Sequence, residues 1–596
     1  MAEAPTVEAP ARLPLARGSK FKRWRGWGDA VFVAPFRDHD ALAPFVLYLV
    51  IACLFELPAV RHMNSRCACG YGSDPTQYMW AMQWWPYAIA HGVNPFWTHE
   101  IWFDPSGMDL ASATSIPGLA LIASPITVVA GPLVAFNIVS ILAPVTAAWF
   151  AYRLCLYITK APLPSLVGGY LFGFSAYEFG QLLGHMHLTV IFAIPAAVLL
   201  TLKRFDGVIG RARYVILTGL VLAIQLSIST EVAFTFTLMI LATLVCALAL
   251  SRPEARRRIV RLLPDLAGAY VVMGILCLPF LYYALKGPPL NVNGNFPADG
   301  LGFFFPTQTM RVGGHWFLPV SQSYPGNSSE QGTYLGLPLL LIVVAYAVRT
   351  WGRRTTRVLI AALAVAVIWA LGDHLYIAGR PTIPLPWKLV SHLPLFDQLI
   401  TARIGLYISL ICAVIAALWI ASTRPSALWR WSLAGLAVIF LIPRVDASYP
   451  GSDLSLYHAS ETIPSFFTSG LYRRYLRPNA VVMPLPFANT NGAQNLLWQA
   501  DTDMYFRLAS GYFGYTPPDY NSTLLPALLG GSALPLDAPA QLRTFLGVHT
   551  VDDVVADPST AGGWLQVLAR IGLRPIRVGG VLVYRVPAAW RAPRPI

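Results

Sequence analysis

Residues 72–88 read GSDPTQYMWAMQWWPYA and follow directly after the first long apolar segment, residues 42–60. Asp74 places a carboxylate at the start of this stretch, and a run of aromatic residues follows it. Aromatic rings of this kind favour the boundary between lipid and water. The stretch therefore predicts a short interfacial helix over 75–91, with a carboxylate at the mouth of a membrane helix bundle.

The composition of the 596 residues indicates a membrane protein. Hydrophobic residues make up 56% of the chain and charged residues 12%, and the mean hydropathy is +0.54. Because a soluble domain carries about 25% charged residues, lipid must replace water over much of this surface. The net charge of +14 lies mainly in short loops between apolar runs, a pattern that the positive-inside rule explains better than nucleic-acid binding does.

Apolar runs of about 16–21 residues predict a predominantly α-helical, polytopic bundle. The basic loops orient it with a cytoplasmic N-terminus. Segment 115–130 is interrupted by Pro117 and Pro125 and is predicted to be re-entrant or interfacial, which gives 11 spans; if it crosses the membrane, a further weak span is implied and the total becomes 13. The predicted spans are 42–60, 133–152, 163–178, 187–203, 214–230, 232–250, 266–284, 334–349, 358–373, 403–421 and 429–445.

Three regions are predicted from this pattern. Residues 1–41 are a basic, mostly disordered cytoplasmic tail without a signal peptide. Residues 42–446 form the transmembrane bundle, with outer loops at 61–132, 285–333 and 374–402. Residues 447–596 form a small extracytoplasmic α/β domain, with strands at 481–485 and 548–555, a helix at 562–572 and a hairpin at 576–586.

Carboxylates in the first outer loop are the candidate catalytic groups. Asp74 fits a general base, and it equally fits an ordinary helix cap before Pro75. Asp104 and Asp109 flank a Pro-Ser-Gly turn, so turn formation competes with a role in substrate binding. The seven cysteines predict no disulfide framework, and structural use of Cys67 and Cys69 is favoured over a metal site.

A second group of polar residues occurs at the predicted outer ends of spans. Glu178, Gln181 and His185 share one helix face, and His187 lies off it. Ionisable residues at membrane depth tend to face a cavity or one another. Glu231 closes a tight outer turn and either joins the same cavity or is simply solvated. A purely structural hydrogen-bond network is the alternative for the whole group.

Basic residues on the predicted outer face are unusual because the positive-inside rule disfavours them. Arg403 begins the span 403–421 and requires an anionic partner. A lipid phosphate held bidentately fits, and snorkelling to ordinary headgroups is the alternative. Lys388 and Arg311 add positive charge to the same face.

The chain resembles bacterial GT-C-type membrane glycosyltransferases, the broad group that includes dolichyl-phosphate-mannose-protein mannosyltransferases and aminoarabinose transferases. The likeness rests on the Asp-Pro-x-Gln and Trp-Trp-Pro elements of 72–88 and on motifs at 94–96, 103–107, 172–175, 184–188, 334–338 and 393–396. Here Ser73 separates Gly72 from Asp74, and residues 399–402 replace a more usual approach to Arg403. The replacement at 399–402 affects the assignment of Arg403 as a ligand of a lipid phosphate.

The resemblance implies transfer of a sugar from a polyprenyl-phosphate donor to a lipid or glycan acceptor at the outer face of the bacterial inner membrane. Asp74 would be the base of an inverting displacement, and Arg403 with Lys388 would hold the donor phosphate. A divalent cation held by Asp74 with Asp104 is left open. A flippase for lipid-linked saccharides, or a non-catalytic assembly protein, are the alternatives. The implied substrate cavity comprises Gln77, Asp104, Asp109, Glu178, Gln181, His185, His187, Glu231 and Arg311.

Overall fold

The computed structural model describes residues 39–103, 107–287, 296–449, 452–489, 492–513 and 516–591. Two compact units divide the chain, Met1–Pro44 and Phe45–Ile596. Of the first unit, only the beginning of a helix, from His39 onward, is described. The second unit holds the bundle, the C-terminal sheet and the site.

Helices dominate the described residues, and several begin with a proline that suits the first helical turn because its missing N–H is not needed there. In chain order they are α1 (His39–Phe55), α2 (Leu57–Arg61), α3 (Asp74–Ala90), α4 (Pro117–Ala130), α5 (Pro132–Thr159), α6 (Pro162–Gly173), α7 (Ala176–Gln181), α8 (Met186–Thr189), α9 (Ala193–Phe205), α10 (Arg211–Ile228), α11 (Thr230–Leu250), α12 (Pro253–Leu276), α13 (Leu278–Ala284), α14 (Leu318–Ser321), α15 (Leu337–Thr350), α16 (Arg354–Ala370), α17 (Gly405–Ala421), α18 (Ala427–Phe440), α19 (Ser465–Thr468), α20 (Tyr472–Tyr475), α21 (Gln494–Asp501), α22 (Leu525–Leu528), α23 (Ala538–Val548) and α24 (Trp564–Arg570).

Each of the predicted spans overlaps one of these helices, which confirms a mostly helical, multi-pass membrane protein. Within the described residues, six helical stretches are long and apolar enough to cross a membrane: Pro132–Thr159, Met186–Phe205, Arg211–Ile228, Thr230–Leu250, Pro253–Leu276 and Thr401–Ala421. Shorter apolar helices include Pro117–Ala130, which covers the segment predicted to be re-entrant. The number of crossings stays a prediction.

Helix α3 lies inside the protein. Tyr78, Trp80, Trp84 and Trp85 are each at most 3% exposed. Trp80 stacks on Trp84 and donates its indole N–H to Gln499 Oε1 on α21, at 2.7 Å. The prediction that these rings face the lipid–water boundary is therefore wrong, because they pack inside the protein: Trp80 against the C-terminal part, and Trp84 and Trp85 with their indole N–H groups on carbonyls of residues 95 and 115.

The strands are β1 (Trp97–Thr98), β2 (Met108–Asp109), β3 (His374–Ile377), β4 (Arg380–Pro384), β5 (Val481–Leu485), β6 (Arg507–Leu508), β7 (Asp553–Ala556), β8 (Pro575–Val578) and β9 (Val581–Arg585). The last five form a mixed sheet in the C-terminal part, in the order β6-β5-β7-β9-β8. Strand β5 and the β8–β9 hairpin lie where the sequence predicts them, as does helix α24. The strand predicted over 548–555 begins only at Asp553, because α23 continues to Val548 and Thr550 is left-handed.

The sheet and helix α3 share one hydrophobic core, which includes Trp80, Val482 and Val554. Short 3₁₀ helices complete the described structure at Gly300–Phe303, Pro386–Leu389, Thr401–Ile404, Pro518–Tyr520 and Ala588–Trp590. A separate α/β domain beginning at residue 447 stays a prediction, since the core runs continuously from α3 into the sheet.

The first outer loop is joined to the C-terminal part by backbone pairing. Cys67 N–H donates to Ala459 O, and Ala459 N–H donates to Cys69 O. A disulfide joins Cys67 to Cys69, with their Cα atoms 5.1 Å apart. This separation lies within the usual range for a bridge, about 4.4–6.8 Å. The cysteine pattern predicted no disulfide framework, and this bridge between two residues of one loop corrects that prediction.

Candidate functional site

Asp74 is the first residue of helix α3, and Ser73 is the residue before the helix. The Ser73 hydroxyl donates to the carbonyl of Asn489 and does not cap the helix. Asp74 therefore lies in the first turn, where the helix dipole favours a negative charge. Its carboxylate is about one-third exposed and is directed at two other side chains.

The two partners of the Asp74 carboxylate are His185 and Tyr512. His185 Nε2 lies 3.2 Å from Asp74 Oδ2. The Tyr512 hydroxyl donates a hydrogen bond to the same carboxylate. Burial, followed by the negative charge of Asp74, raises the pKa of Tyr512. Asp74 is thus held by one residue of the bundle and one residue of the C-terminal part.

The opposite side of the His185 ring faces Gln181 and Glu330. His185 Nδ1 lies 2.8 Å from Gln181 Oε1 and 3.6 Å from Glu330 Oε1. The Gln181 amide donates to Ser329 O at 3.0 Å, which directs its oxygen towards the imidazole. His185 Nδ1–H is therefore the donor to Gln181, and the imidazole has a defined orientation towards Asp74.

Arg403 lies behind this ring, in the 3₁₀ helix Thr401–Ile404 that precedes α17. Its Nε lies 3.0 Å from Glu330 Oε2, its Nη2 pairs with Glu330 Oε1, and its Nη1 pairs with Glu231. Burial opposes ionisation of Glu330, but the charges of Arg403 and His185 outweigh it and lower the pKa of this carboxyl to about 2. Glu330 therefore remains ionised near neutral pH.

These contacts link five residues in one chain, which we call the polar network: Asp74, His185, Glu330, Arg403 and Glu231. Four of them were candidates from the sequence, whereas Glu330 and the neighbouring Tyr512 were missed. The signal for Glu330 was indirect. An arginine at the outer end of a span requires an anion, and the loop 285–333 carries two acidic residues, Asp299 and Glu330.

Asp74 and His185 line a cavity of about 580 Å³. One wall comes from residues 71–75 and 183–185, and the opposite wall comes from the second outer loop, at 307–308 and 318–331. Tyr449 and Tyr512 line it from the C-terminal part. The cavity volume lies within the range of roughly 300–1,000 Å³ that is typical of small-ligand sites.

Several predicted cavity residues lie elsewhere. Gln77 is buried and donates to Thr114 O at 3.2 Å. Asp109 accepts the backbone N–H of Ala111 at 2.7 Å, which fits its turn-forming alternative. His187 Nδ1 lies 2.7 Å from the Tyr78 hydroxyl. Glu178 is fully buried, and neither carboxylate oxygen has a hydrogen-bond partner among the described residues.

The remaining candidates are not in the polar network. Lys388 is exposed, with its amine 3.5 Å from His374 Nε2. Arg311 is exposed as well. Asp104 lies outside the described residues, so its predicted pairing with Asp74 is not addressed. Within the described ranges, no group of three or more His, Cys, Asp or Glu residues is arranged to hold a metal ion.

Comparisons with known proteins identify the fold. A family model described as a domain of unknown function (DUF6311) matches residues 45–448, more than half of the chain. No curated protein matches the sequence. The structure is similar to that of the archaeal oligosaccharyltransferase AglB from Archaeoglobus fulgidus, solved with an inhibitory peptide and a dolichol-phosphate. The TM-score is 0.51, with 12% identity over 94% of this chain and 75% of that chain.

Two further solved structures are similar at lower scores. ArnT from Cupriavidus metallidurans, bound to undecaprenyl phosphate, has a TM-score of 0.48 and 10% identity, over 92% of this chain and 99% of that chain. The mycobacterial arabinofuranosyltransferase AftD has a TM-score of 0.49 and 13% identity, over 93% of this chain and 41% of that chain. The resemblance to GT-C-type membrane proteins is confirmed, and at these identities it is a likeness of fold.

Proposed function

The chain belongs to the DUF6311 family, and we propose that it is a membrane glycosyltransferase that moves a sugar from a polyprenyl-phosphate donor to an acceptor on the outer face of the membrane. The observation that carries this proposal is the Asp74 carboxylate, which lines a cavity and is held by His185 and Tyr512. The GT-C fold supports it, as does the dolichol-phosphate bound to the AglB structure.

In the proposed reaction, Asp74 is the general base. The acceptor hydroxyl oxygen attacks the anomeric carbon of the donor sugar and loses its proton to the Asp74 carboxylate. The bond between that carbon and the phosphate oxygen breaks, and its electron pair leaves with the polyprenyl phosphate. A single displacement of this kind inverts the configuration at the anomeric carbon. Base catalysis of this type typically contributes about 10²–10⁴-fold.

Arg403 is our proposed ligand of the donor phosphate, with Lys388 as a second positive charge. Both sides of the Arg403 guanidinium face carboxylates, so a phosphate must displace one of them. Glu231 makes one contact with Arg403, whereas Glu330 makes two. We therefore propose that the phosphate replaces Glu231, and that Arg403 then stabilises the charge developing on the leaving group. No step is assigned to a metal ion.

The outer face is proposed from the loop charges and from chemistry in the first outer loop. The disulfide between Cys67 and Cys69 lies in this loop, close to Asp74 in sequence. Disulfides persist in oxidising compartments and are rare in the cytosol. A periplasmic location of residues 61–132 would provide the oxidising surroundings that a disulfide needs. Because residues 71–75 of this loop line the cavity, the cavity would then open on the periplasmic side.

The test compares cells that carry the wild type, Asp74→Asn, or the control Asp453→Asn, matched for protein abundance in membranes. Asp453 is exposed and is not among the residues that line the cavity. We expect Asp74→Asn alone to lose one surface sugar and to accumulate its polyprenyl-phosphate-linked form, measured by lipid and glycan mass spectrometry. Normal glycans in the Asp74→Asn strain would contradict the role of Asp74 as the base.

The same cells separate a transferase from a flippase. A flippase moves the lipid-linked sugar across the membrane with its glycosyl bond intact. Flippase activity therefore changes the face on which the lipid-linked sugar lies, and does not directly change the amount of sugar-free polyprenyl phosphate. We expect outer-face donor to accumulate in the Asp74→Asn strain, where a membrane-impermeant glycosidase can cleave it. Accumulation at the inner face would favour the flippase.

A further inference from the structure

We propose that the cavity beside Asp74 binds the acceptor, and that this acceptor is an uncharged saccharide. The inference deepens the proposed function and rests on it in one respect, namely that the bound saccharide is the acceptor of the transfer. The binding preference itself stands on the cavity lining alone. Three features of the lining carry it: charge, hydrogen-bonding groups and aromatic rings.

The charge of the site disfavours anionic ligands. Among the described residues that line the cavity, Asp74 carries the carboxylate and His185 is its imidazole partner, and this lining holds no lysine or arginine. The nearest cation of the polar network, Arg403, is paired with Glu231 and Glu330 and does not line the cavity. An anionic group would therefore meet the Asp74 carboxylate, and the one basic side chain of the described lining, His185, is already paired with that carboxylate.

Neutral hydrogen-bonding side chains line the second wall. Gln308, Gln322, Asn327, Gln331, Ser321 and Ser328 all belong to the lining. Some of their polar atoms already bond to neighbouring backbone, since Gln331 Nε2 donates to Tyr324 O and the Ser321 hydroxyl donates to Leu318 O. Amides both donate and accept hydrogen bonds, as do hydroxyls, and this combination matches the hydroxyls of a sugar. Gln308 Nε2 donates to Ser328 Oγ at 3.2 Å, so part of this wall is already ordered without a ligand.

Tyrosine rings form the end of the cavity. Tyr71 and Tyr449 are half-buried and meet edge to face, with ring centroids 6.4 Å apart. The hydroxyl of Tyr449 donates to the carbonyl of Tyr71 at 3.3 Å. Tyr512 lines the cavity beside Asp74. Such rings offer an apolar face with a polar tip, which suits the mixed surface of a pyranose ring.

A peptide acceptor fits these observations less well. Peptides are commonly bound by pairing with an exposed strand edge or by apolar pockets for alternate side chains. None of the residues that line the cavity belongs to a described strand, and its apolar side chains are few, chiefly Pro75, Leu183 and Leu318. The lining therefore favours a saccharide.

The test measures binding directly, using saturation-transfer NMR on the full-length protein in nanodiscs. The probes are a set of neutral methyl glycosides, methyl glucuronide as the anionic sugar, and an uncharged blocked tripeptide. We expect saturation transfer to neutral glycosides, with none to the glucuronide or the peptide. Asp74→Asn removes the repelling charge but not the hydrogen-bonding wall, so we expect this variant to retain glycoside binding.

A charge-insertion variant tests the reason for the preference. Ser328→Lys adds a cation to the cavity wall, and Ser469→Lys adds one to an exposed position elsewhere. We expect Ser328→Lys to bind the glucuronide at least about tenfold more tightly than the control variant does, which corresponds to about 1.4 kcal/mol.

The outcomes distinguish this inference from the proposed function. Binding of the glucuronide or the peptide to the wild type in preference to neutral glycosides overturns the saccharide inference, as does a lack of glycoside binding. Neither result changes the outcome of the Asp74→Asn glycan measurement. Conversely, glycoside binding together with normal glycans in Asp74→Asn cells would preserve the inference and contradict the proposed catalytic role.

Discussion

Arg403 and Glu330 meet side by side, with Nε of the guanidinium 3.0 Å from Oε2 of the carboxylate and Nη2 against Oε1. The Glu330 side chain is 2% exposed and that of Arg403 is 13% exposed. Glu330 also contacts His185, and His185 contacts Asp74, so these side chains form an unbroken series of contacts from Arg403 to Asp74. The proposed phosphate ligand and the proposed base therefore belong to one electrostatic unit.

Removing Arg403 should destabilise the protein strongly. Arg403→Leu leaves Glu231 and Glu330 buried without their cation, and breaking a buried pair in this way costs about 3–5 kcal/mol. We expect a large decrease in the melting temperature, measured by tryptophan fluorescence of the protein in nanodiscs. Arg570→Leu, at an exposed position on α24, is the matched control and should change little. Equal melting temperatures for the two variants would show that the polar network contributes nothing to the stability of the fold.

Tyr512 should act as a positioning residue for Asp74. Tyr512→Phe removes the hydrogen bond to the carboxylate, and a hydrogen bond to a charged group is worth about 1.5–3 kcal/mol. We expect the transfer rate to decrease by about tenfold or more, chiefly in kcat, with folding intact. The assay follows release of sugar from the lipid-linked donor.

Tyr475→Phe is the control for Tyr512→Phe, because Tyr475 lies on α20 and does not line the cavity. A decrease in acceptor affinity with kcat unchanged would instead assign Tyr512 to acceptor binding alone.

Glu461 should make stability fall as the pH rises. It is 4% exposed, its backbone pairs with Ser65, and burial raises the pKa of its carboxyl from 4.5 to about 7. Because burial favours the uncharged carboxyl, the folded state binds this proton more tightly than the unfolded state does. The free energy of unfolding is therefore unaffected by this group below about pH 4.5, where the carboxyl is protonated in both states. Stability is then lost between about pH 4.5 and pH 7, by up to about 3 kcal/mol.

The measurement for Glu461 compares thermal unfolding of the wild type and Glu461→Gln at pH 5 and pH 8. We expect the variant to be the more stable of the two at pH 8 and to lose this advantage at pH 5. Glu254→Gln, at an exposed position in the first turn of α12, should show no such difference. A pH-independent effect of Glu461→Gln would contradict the assigned titration.

The Cys67–Cys69 bridge should be present in cells and should stabilise the protein only modestly. A bridge between residues two apart closes a very short loop, so the entropy model gives only about 1–2 kcal/mol. Because both cysteines are fully buried in the folded protein, labelling is carried out after denaturation. We expect both to react with a maleimide only after reduction, as measured by mass spectrometry. Labelling of both cysteines without reductant would contradict the bridge and weaken the periplasmic assignment of this loop.

Much of the bundle could be predicted from the sequence because span-forming signals are local. Each long apolar run coincides with a helix, and the Gly-Gly turn of the β8–β9 hairpin lies where its residues indicate. Within the site, Gln181 and His185 do meet, at 2.8 Å, but the predicted shared helical face of Glu178, Gln181 and His185 is wrong, because α7 ends at Gln181 and His185 precedes α8. Helix α3 was located correctly, but its aromatic face was assigned to the wrong surroundings.

The sequence by itself determined the helical bundle, the position of Asp74 at the start of a helix and the need of Arg403 for an anion. Only the tertiary structure decided that the anions are Glu231 and Glu330, and that Tyr512 reaches Asp74 from far along the chain. The physical reason is that hydrophobic periodicity is a property of neighbouring residues. Which loops close over a bundle depends instead on packing between distant segments, as when the C-terminal part covers Trp80 of α3.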